Sequence, residues 1–189
     1  IRDLRMSRGL GDVYKRQLIA KELGWSRSNL YKYASTQEEV FLALHSRANR
    51  AYVDDLVANL KNAPLSSETF AKRWAAVTND HPEFLRYQDI LIAIIESNAS
   101  LDRLVEFKCA YAEMTEPLFE IIQKQTECDT AGALDFYLRL IYQAPGLYNH
   151  FHCAERTAEA MRIAGMPPIR GSFEKAYSDF VLMCLNAQE

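Results

Sequence analysis

The chain has 189 residues, 49% of them apolar and 25% charged, with a formal net charge of −3, an ordinary globular composition that excludes a mainly disordered chain. One domain, or one with a small appendage, fits this length, and about two-thirds of the unfolded surface can be buried, enough for a core without cross-links. No apolar run reaches the roughly 18 residues of a membrane helix, no secretory leader opens the chain, and the four cysteines (109, 128, 153 and 184) include no C-x-x-C pair, which together point to a cytoplasmic chain with reduced thiols.

Residues 1–17, IRDLRMSRGLGDVYKRQ, hold neither a helical nor a strand period. Gly9 and Gly11 would each weaken a helix by about 1 kcal/mol relative to Ala. The string resembles translated read-through of a sequencing-library adapter. It is expected to be a non-native segment, with the true start of the gene missing. From Gln17 onward helix follows helix. Short ones are expected at 17–24 and 27–33 and a long one at 37–62, with Val40, Leu44, Ala48, Tyr52, Leu56 and Leu60 recurring every four positions on its buried face. Ser66 or Ser67 can cap a helix at 67–79, and Pro82 suits the first turn of one at 82–97. The ILIAII run in that helix is apolar all round and should be covered on every side. The next helix, 101–125, carries Leu104, Phe107, Tyr111, Met114, Leu118 and Ile121 on one face, with a kink expected at Pro117. Helix 130–152 contains Pro145 and Gly146, so a bend or break is expected there. A short helix at 154–164 precedes the last, 172–187, whose apolar face runs from Phe173 through Tyr177 and Val181 to Leu185. No alternating β-branched run of useful length appears, so the fold class is all-α.

Charge is uneven along the chain. Residues 1–50 carry ten Lys/Arg against five Asp/Glu, and residues 51–189 carry twelve against twenty. A basic head on an acidic body is the crude footprint of a nucleic-acid binder. Most of the excess comes from residues 1–17, because residues 18–50 hold five positive and three negative side chains.

Residues 17–45, QLIAKELGWSRSNLYKYASTQEEVFLALH, are the informative stretch. Ile19, Ala20 and Leu23 give the first short helix an apolar face, and Gly24 can end it. Ser26 can cap the second, with Trp25 and Leu30 as a hydrophobic staple. Thr36 and Glu39 form a capping box for the long helix. Two short helices joined through a glycine turn make a helix-turn-helix. The second exposes Arg27, Ser28, Asn29 and Lys32 near its N-terminus, where unsatisfied N–H groups and a positive dipole suit a phosphate-lined groove.

The order Ile19-Ala20, Gly24, Ser26, Leu30-Tyr31, Tyr33, Thr36, Glu38-Glu39 resembles the DNA-binding domain of TetR-type (TetR/AcrR) transcriptional regulators. His81-Pro82 and the Ile95-Glu96-Ser97-Asn98 helix end look similar to one subgroup of that family. The resemblance implies a helix-turn-helix head at 18–50 and a helical ligand-binding and dimerisation bundle at 51–189. It implies a DNA-binding set of Ser26, Arg27, Ser28, Asn29, Tyr31, Lys32, Tyr33 and Gln37, in which Arg27, Ser28 and Asn29 approach bases and Tyr31, Lys32 and Tyr33 touch or pack near phosphates. Gln37 stands where the family often has Lys, which removes one phosphate contact and lowers the salt slope by about one. Ala34 stands where the family usually has Phe. The family's first helix should precede Gln17, and residues 1–16 do not supply it. Double-stranded DNA with a pseudo-palindromic operator, a small apolar effector and a second copy of the chain are the implied partners. The copies are expected to pair through helices 130–152 and 172–187, a choice motivated by the apolar face from Phe173 to Leu185. A repressor released from its operator by the effector is the expected mode.

Trp74, Tyr87, Tyr111, Met114, Tyr148 and His150 are candidate effector-lining residues, although spacing alone does not separate lining from core. His45 and His81 read as structural, and Asp54-Asp55 as solvated helix face. On a helix His150 and His152 diverge, leaving His150 and Cys153 together, too few ligands for structural zinc. No metal and no cofactor are expected. No G-x-S-x-G, H-E-x-x-H or phosphate-loop motif supports an enzyme. The alternative is a ligand- or partner-binding helical bundle with no DNA role.

Overall fold

The structure is a computed structural model, and it describes residues 37–91 and 96–187. Seven helices account for most of them, and no strand occurs among the described residues. They are α1 (Gln37–Leu60), α2 (Ser67–Asn79), α3 (Pro82–Ile90), α4 (Leu101–Thr126), α5 (Thr130–Phe151), α6 (Glu155–Ile163) and α7 (Phe173–Asn186). The helix-turn-helix expected at 17–33 lies outside the described residues, as does Thr36 of the expected capping box.

Side-chain caps start three helices. Ser66 Oγ accepts from Thr69 N–H, Asp129 Oδ1 from Gly132 N–H at 2.8 Å, and Ser172 Oγ from Lys175 N–H. Each satisfies one of the N–H groups that a helix leaves without an internal partner. Pro82 opens α3, where its missing N–H has no helical partner to lose. Glu127 ends α4 in the left-handed region (φ 54°) and turns the chain into α5 within three residues.

Three expectations change at this level. In α1 the expected Ala48, Tyr52, Leu56 and Leu60 are buried, but so are Leu42, His45, Asn49 and Val53, while Val40 and Leu44 are only half-buried. A four-residue step overshoots one turn by about 40°, so a strict spacing of four walks round the helix. Over 20 residues the drift reaches about 200°, and the real stripe must mix steps of three and four. The helix expected to run to residue 97 ends as α-helix at Ile90, and the winding widens to π type at Leu91 and Glu96. Of the ILIAII run, Ile90 is half-buried and Leu91 buried. Helix α5 runs unbroken through Pro145 and Gly146, and α4 is continuous through Pro117. Pro117 sits on the exposed face of α4, so water can reach the Glu113 carbonyl that its ring leaves unbonded. Pro145 is buried with Ala144 in α5, where core packing offsets the cost of about 3 kcal/mol for proline in a helix interior.

The most closely packed helix pair is α2 with α7. Phe70, Trp74 and Val77 of α2 fall on one face at spacings of four and three. Phe173, Tyr177, Val181 and Cys184 of α7 do the same. Trp74 lies between Phe70, Phe136 and Tyr137, edge-on to Phe136 at 6.1 Å. α5 packs against α3, α4 and α7, and Tyr177 Oη donates to the Leu140 carbonyl at 3.0 Å. α1 lies across α2, α3 and α4. At about 1.5 Å per residue its 24 residues reach roughly 36 Å. α6 has no buried residue.

The apolar face of α7 that was expected to meet a second subunit is therefore consumed inside the chain. Phe173, Tyr177, Val181, Cys184 and Leu185 are all covered, because α2 and α5 present matching apolar faces.

Candidate functional site

Apolar packing fixes the lower half of α1, and polar groups are concentrated higher up. Tyr52 stacks on Phe84 of α3 at 4.2 Å and donates its hydroxyl to Thr78 Oγ1 at 3.1 Å, while Thr78 donates to the Trp74 carbonyl. One turn up, Asn49 is fully buried. Its Nδ2 meets only the Met114 sulfur of α4 at 4.0 Å, and its Oδ1 has no partner. One turn further, His45 is fully buried between Phe84 and Phe107, with Nε2 against Gln88 Oε1 of α3 at 3.0 Å. A carbonyl oxygen at Nε2 assigns the ring proton there, so Nδ1 is a bare acceptor, and it too has no partner. Burial holds the His45 pKa below its ordinary 6.5, against the Gln88 hydrogen bond and the charge of Glu96, with Lys108 reinforcing the fall. The ring is neutral near pH 7.

Across from these residues, Tyr111 Oη donates to Tyr137 Oη at 3.2 Å. Burial is the main reason that Tyr111 is raised to about 12 and Tyr137 well above the ordinary tyrosine range. Both hydroxyls stay protonated. The arrangement is therefore polar, uncharged and short of donors.

Two voids follow the seam between α1 and α4. An inner cavity of about 40 Å³ is lined by Asn49, Arg50, Tyr111 and Met114 together with Ser46, Phe107 and Ala110. An outer groove of about 240 Å³ shares those last three residues and opens among Glu39, Arg103 and Glu106. At the far end of the bundle, Cys153, Met161, Met166, Pro167, Pro168 and Ile169 line a largely apolar groove of about 330 Å³ beside α6.

Of the candidate effector-lining residues, Tyr111 and Met114 come together at the inner cavity. Trp74 is fully buried in the core, linked to Tyr111 only through its ring contact with Tyr137 and the hydrogen bond between the two tyrosines. Tyr87 is half-buried against Phe41. Tyr148 stacks on His152 at 4.1 Å and meets Phe173 at the C-terminal end of α5, and His150 is exposed there. Those two do not join the seam. Ser26, Arg27, Ser28, Asn29, Tyr31, Lys32 and Tyr33 lie outside the described residues, and Gln37 is described only as the first residue of α1. His81 is structural, with Nε2 2.8 Å from Asp55 Oδ2, so Asp55 is a tether between α1 and α3 as well as a solvated residue. Among the described residues no three His, Cys, Asp or Glu side chains are placed to hold a metal ion.

His45, read from the sequence as structural, and Asn49 and Gln88, which the sequence did not single out, form a buried polar group on α1 and α3. The available signal was polar residues repeating at the stripe spacing of α1, with His45, Asn49 and Tyr52 separated by four and three.

Residues 46–186 match the family model described as the tetracyclin repressor-like C-terminal domain. The chain belongs to the TetR family. The match starts inside α1 and ends with α7, so the bundle is the C-terminal domain of a TetR-type regulator. The head pattern ends at Glu39 and the domain match begins at residue 46, both inside α1. The search of curated proteins gave no match.

Proposed function

We propose that this TetR-family chain is a cytoplasmic DNA-binding transcriptional repressor, acting as a homodimer and released from its operator by a small, mostly apolar effector. Residues 18–50 carry the head, with the turns of α1 from His45 to Arg50 shared with the bundle, and residues 51–189 complete the effector and pairing domain. Arg27, Ser28 and Asn29 read bases, Ser26 caps their helix at the DNA, Tyr31, Lys32 and Tyr33 lie at phosphates, and Gln37 lies beside them without a charged contact. The observation that carries the reading is the continuity of α1. One helix begins four residues after Tyr33 and carries His45 and Asn49, with their unpartnered acceptors, in the bundle. A change at those residues is transmitted along a rigid rod to the head. The effector acts through its differential affinity for the DNA-competent and the released arrangement.

Pairing uses α5 and α7, on faces other than the one first expected. Leu134 and Tyr142 of α5 are exposed, with half-buried Leu138 between them at helical spacing, and Met183 of α7 is 58% exposed. A two-fold axis across these faces brings like against like and sets two recognition helices about 34–36 Å apart.

The test is a mobility shift with duplexes selected from a random pool, run at rising salt. Binding that falls with salt, and is lost on Arg27→Ala with Lys32→Ala, supports the proposal. No shift on any duplex leaves a ligand-binding helical bundle without a DNA role.

A further inference from the structure

We infer that the seam between α1 and α4 is the effector's entry and binding site, and that it selects a small neutral molecule with an apolar body and a hydroxyl or N–H donor. This rests on the reading of the chain as an effector-responsive regulator. Three observations place the site. Asn49 is fully buried, lines the inner cavity, and has an Oδ1 with no hydrogen-bond partner. A buried amide oxygen left unbonded costs free energy that a ligand donor recovers. The inner cavity and outer groove share Ser46, Phe107 and Ala110, so the cavity that Asn49 lines continues to the surface, while Oδ1 itself is closed to solvent. Met114, against Asn49 Nδ2, is an adaptable side chain able to retreat as the cavity fills.

The same groups fix the ligand's chemistry. Asn49 Oδ1 and His45 Nδ1, one turn apart on α1, are both acceptors. An ether or ketone offers them only lone pairs, so its oxygen leaves both unsatisfied. At Asn49 an ion would lose water with only exposed Arg50 as a charged lining residue, since the buried carboxylate of Glu39 lines the outer groove. Phe107 and Tyr111 supply apolar walls. His45 lines neither void; its ring meets Phe107, which lines both, at 5.5 Å between centroids. A ligand seated here wedges α1 from α4.

The probes are phenol, anisole and toluene, titrated calorimetrically into the full chain. Phenol is expected to bind saturably, one per chain, at least about ten-fold more tightly than either analogue, the worth of one good hydrogen bond. Asn49→Leu should bring phenol down to the toluene level. Ala110→Phe, on the exposed face of α4, should close the seam and abolish binding while leaving thermal unfolding near its original midpoint; this second variant decides the matter if Asn49→Leu does not fold. Equal binding of phenol and toluene, a preference that survives Asn49→Leu, binding that survives Ala110→Phe, or no saturable binding would each overturn the inference. Phenol binding with no DNA binding would sink the regulator reading alone. DNA binding with no phenol binding would sink this one alone.

Discussion

Tyr52 and Thr78 offer a quantitative test of how α1 is held to the bundle. Tyr52 is fully buried, and its hydroxyl donates to Thr78 Oγ1 at 3.1 Å. Thr78 is also fully buried and donates to the Trp74 carbonyl at 2.8 Å. Tyr52→Phe removes the donor and keeps the stack on Phe84, so the expected loss is about 1 kcal/mol, the net worth of a neutral hydrogen bond. Thr78→Val keeps the shape of the side chain but strands the tyrosine hydroxyl in a dry site. That loss should be larger, about 2–3 kcal/mol, because a desolvation penalty is added. In the double variant neither group is stranded. Its loss should fall short of the sum of the single losses by about 1 kcal/mol. Urea unfolding followed by circular dichroism measures all three, and each kcal/mol should also move the thermal midpoint by about 2–4 °C. Additive losses, or a Thr78→Val variant as stable as the original, would refute the account of α1 anchoring.

Trp74→Ala should cost about 3–5 kcal/mol in the same assay, because the ring fills the space between Phe70, Phe136 and Tyr137 with no exposure. Asp129→Ala should cost about 1 kcal/mol by removing the cap on Gly132 N–H. Glu127→Gly should stabilise by up to about 1 kcal/mol, since φ 54° strains any side chain and Glu127 is exposed. His45 has a depressed pKa, so the unfolded chain takes up its proton first as pH falls. The stability contributed by the neutral buried ring is fully present above about 6.5 and is lost as pH falls from there towards the lower folded value. Between pH about 7.5 and about 5.5 the urea midpoint should drop more for the original chain than for His45→Gln; equal drops would exclude His45 as the source.

Helix existence was legible in the sequence because proline, glycine and Ser/Asp caps fall between segments of 3.6-residue period. α2, α5, α6 and α7 end within a residue or so of their expected bounds. The end of α3 was not legible. Nothing in an all-apolar run marks where a helix widens to π type, and Leu91 and Ile90 read the same in either winding. The first turns of the α1 stripe were misread because a spacing of four holds from Ala48 to Leu60 and fails when carried back to Leu44 and Val40. Partner choice was the other limit. Periodicity shows that α7 has an apolar face from Phe173 to Leu185, but not whether α2 or a second subunit covers it. The site was half legible: Tyr111 and Met114 were found as an aromatic and a sulfur on one face of α4. His45 and Asn49 were not, since a buried polar residue declares itself only when its missing hydrogen-bond partner can be counted.

The central claim is that this bundle serves a pair of DNA-reading heads. Hydroxyl-radical footprinting of the chain on a selected duplex tests it most directly. Two symmetric protected patches about one helical turn apart, fading together as salt rises, are the predicted result. A single unsymmetric patch, or no protection at concentrations where the chain is folded, would contradict it.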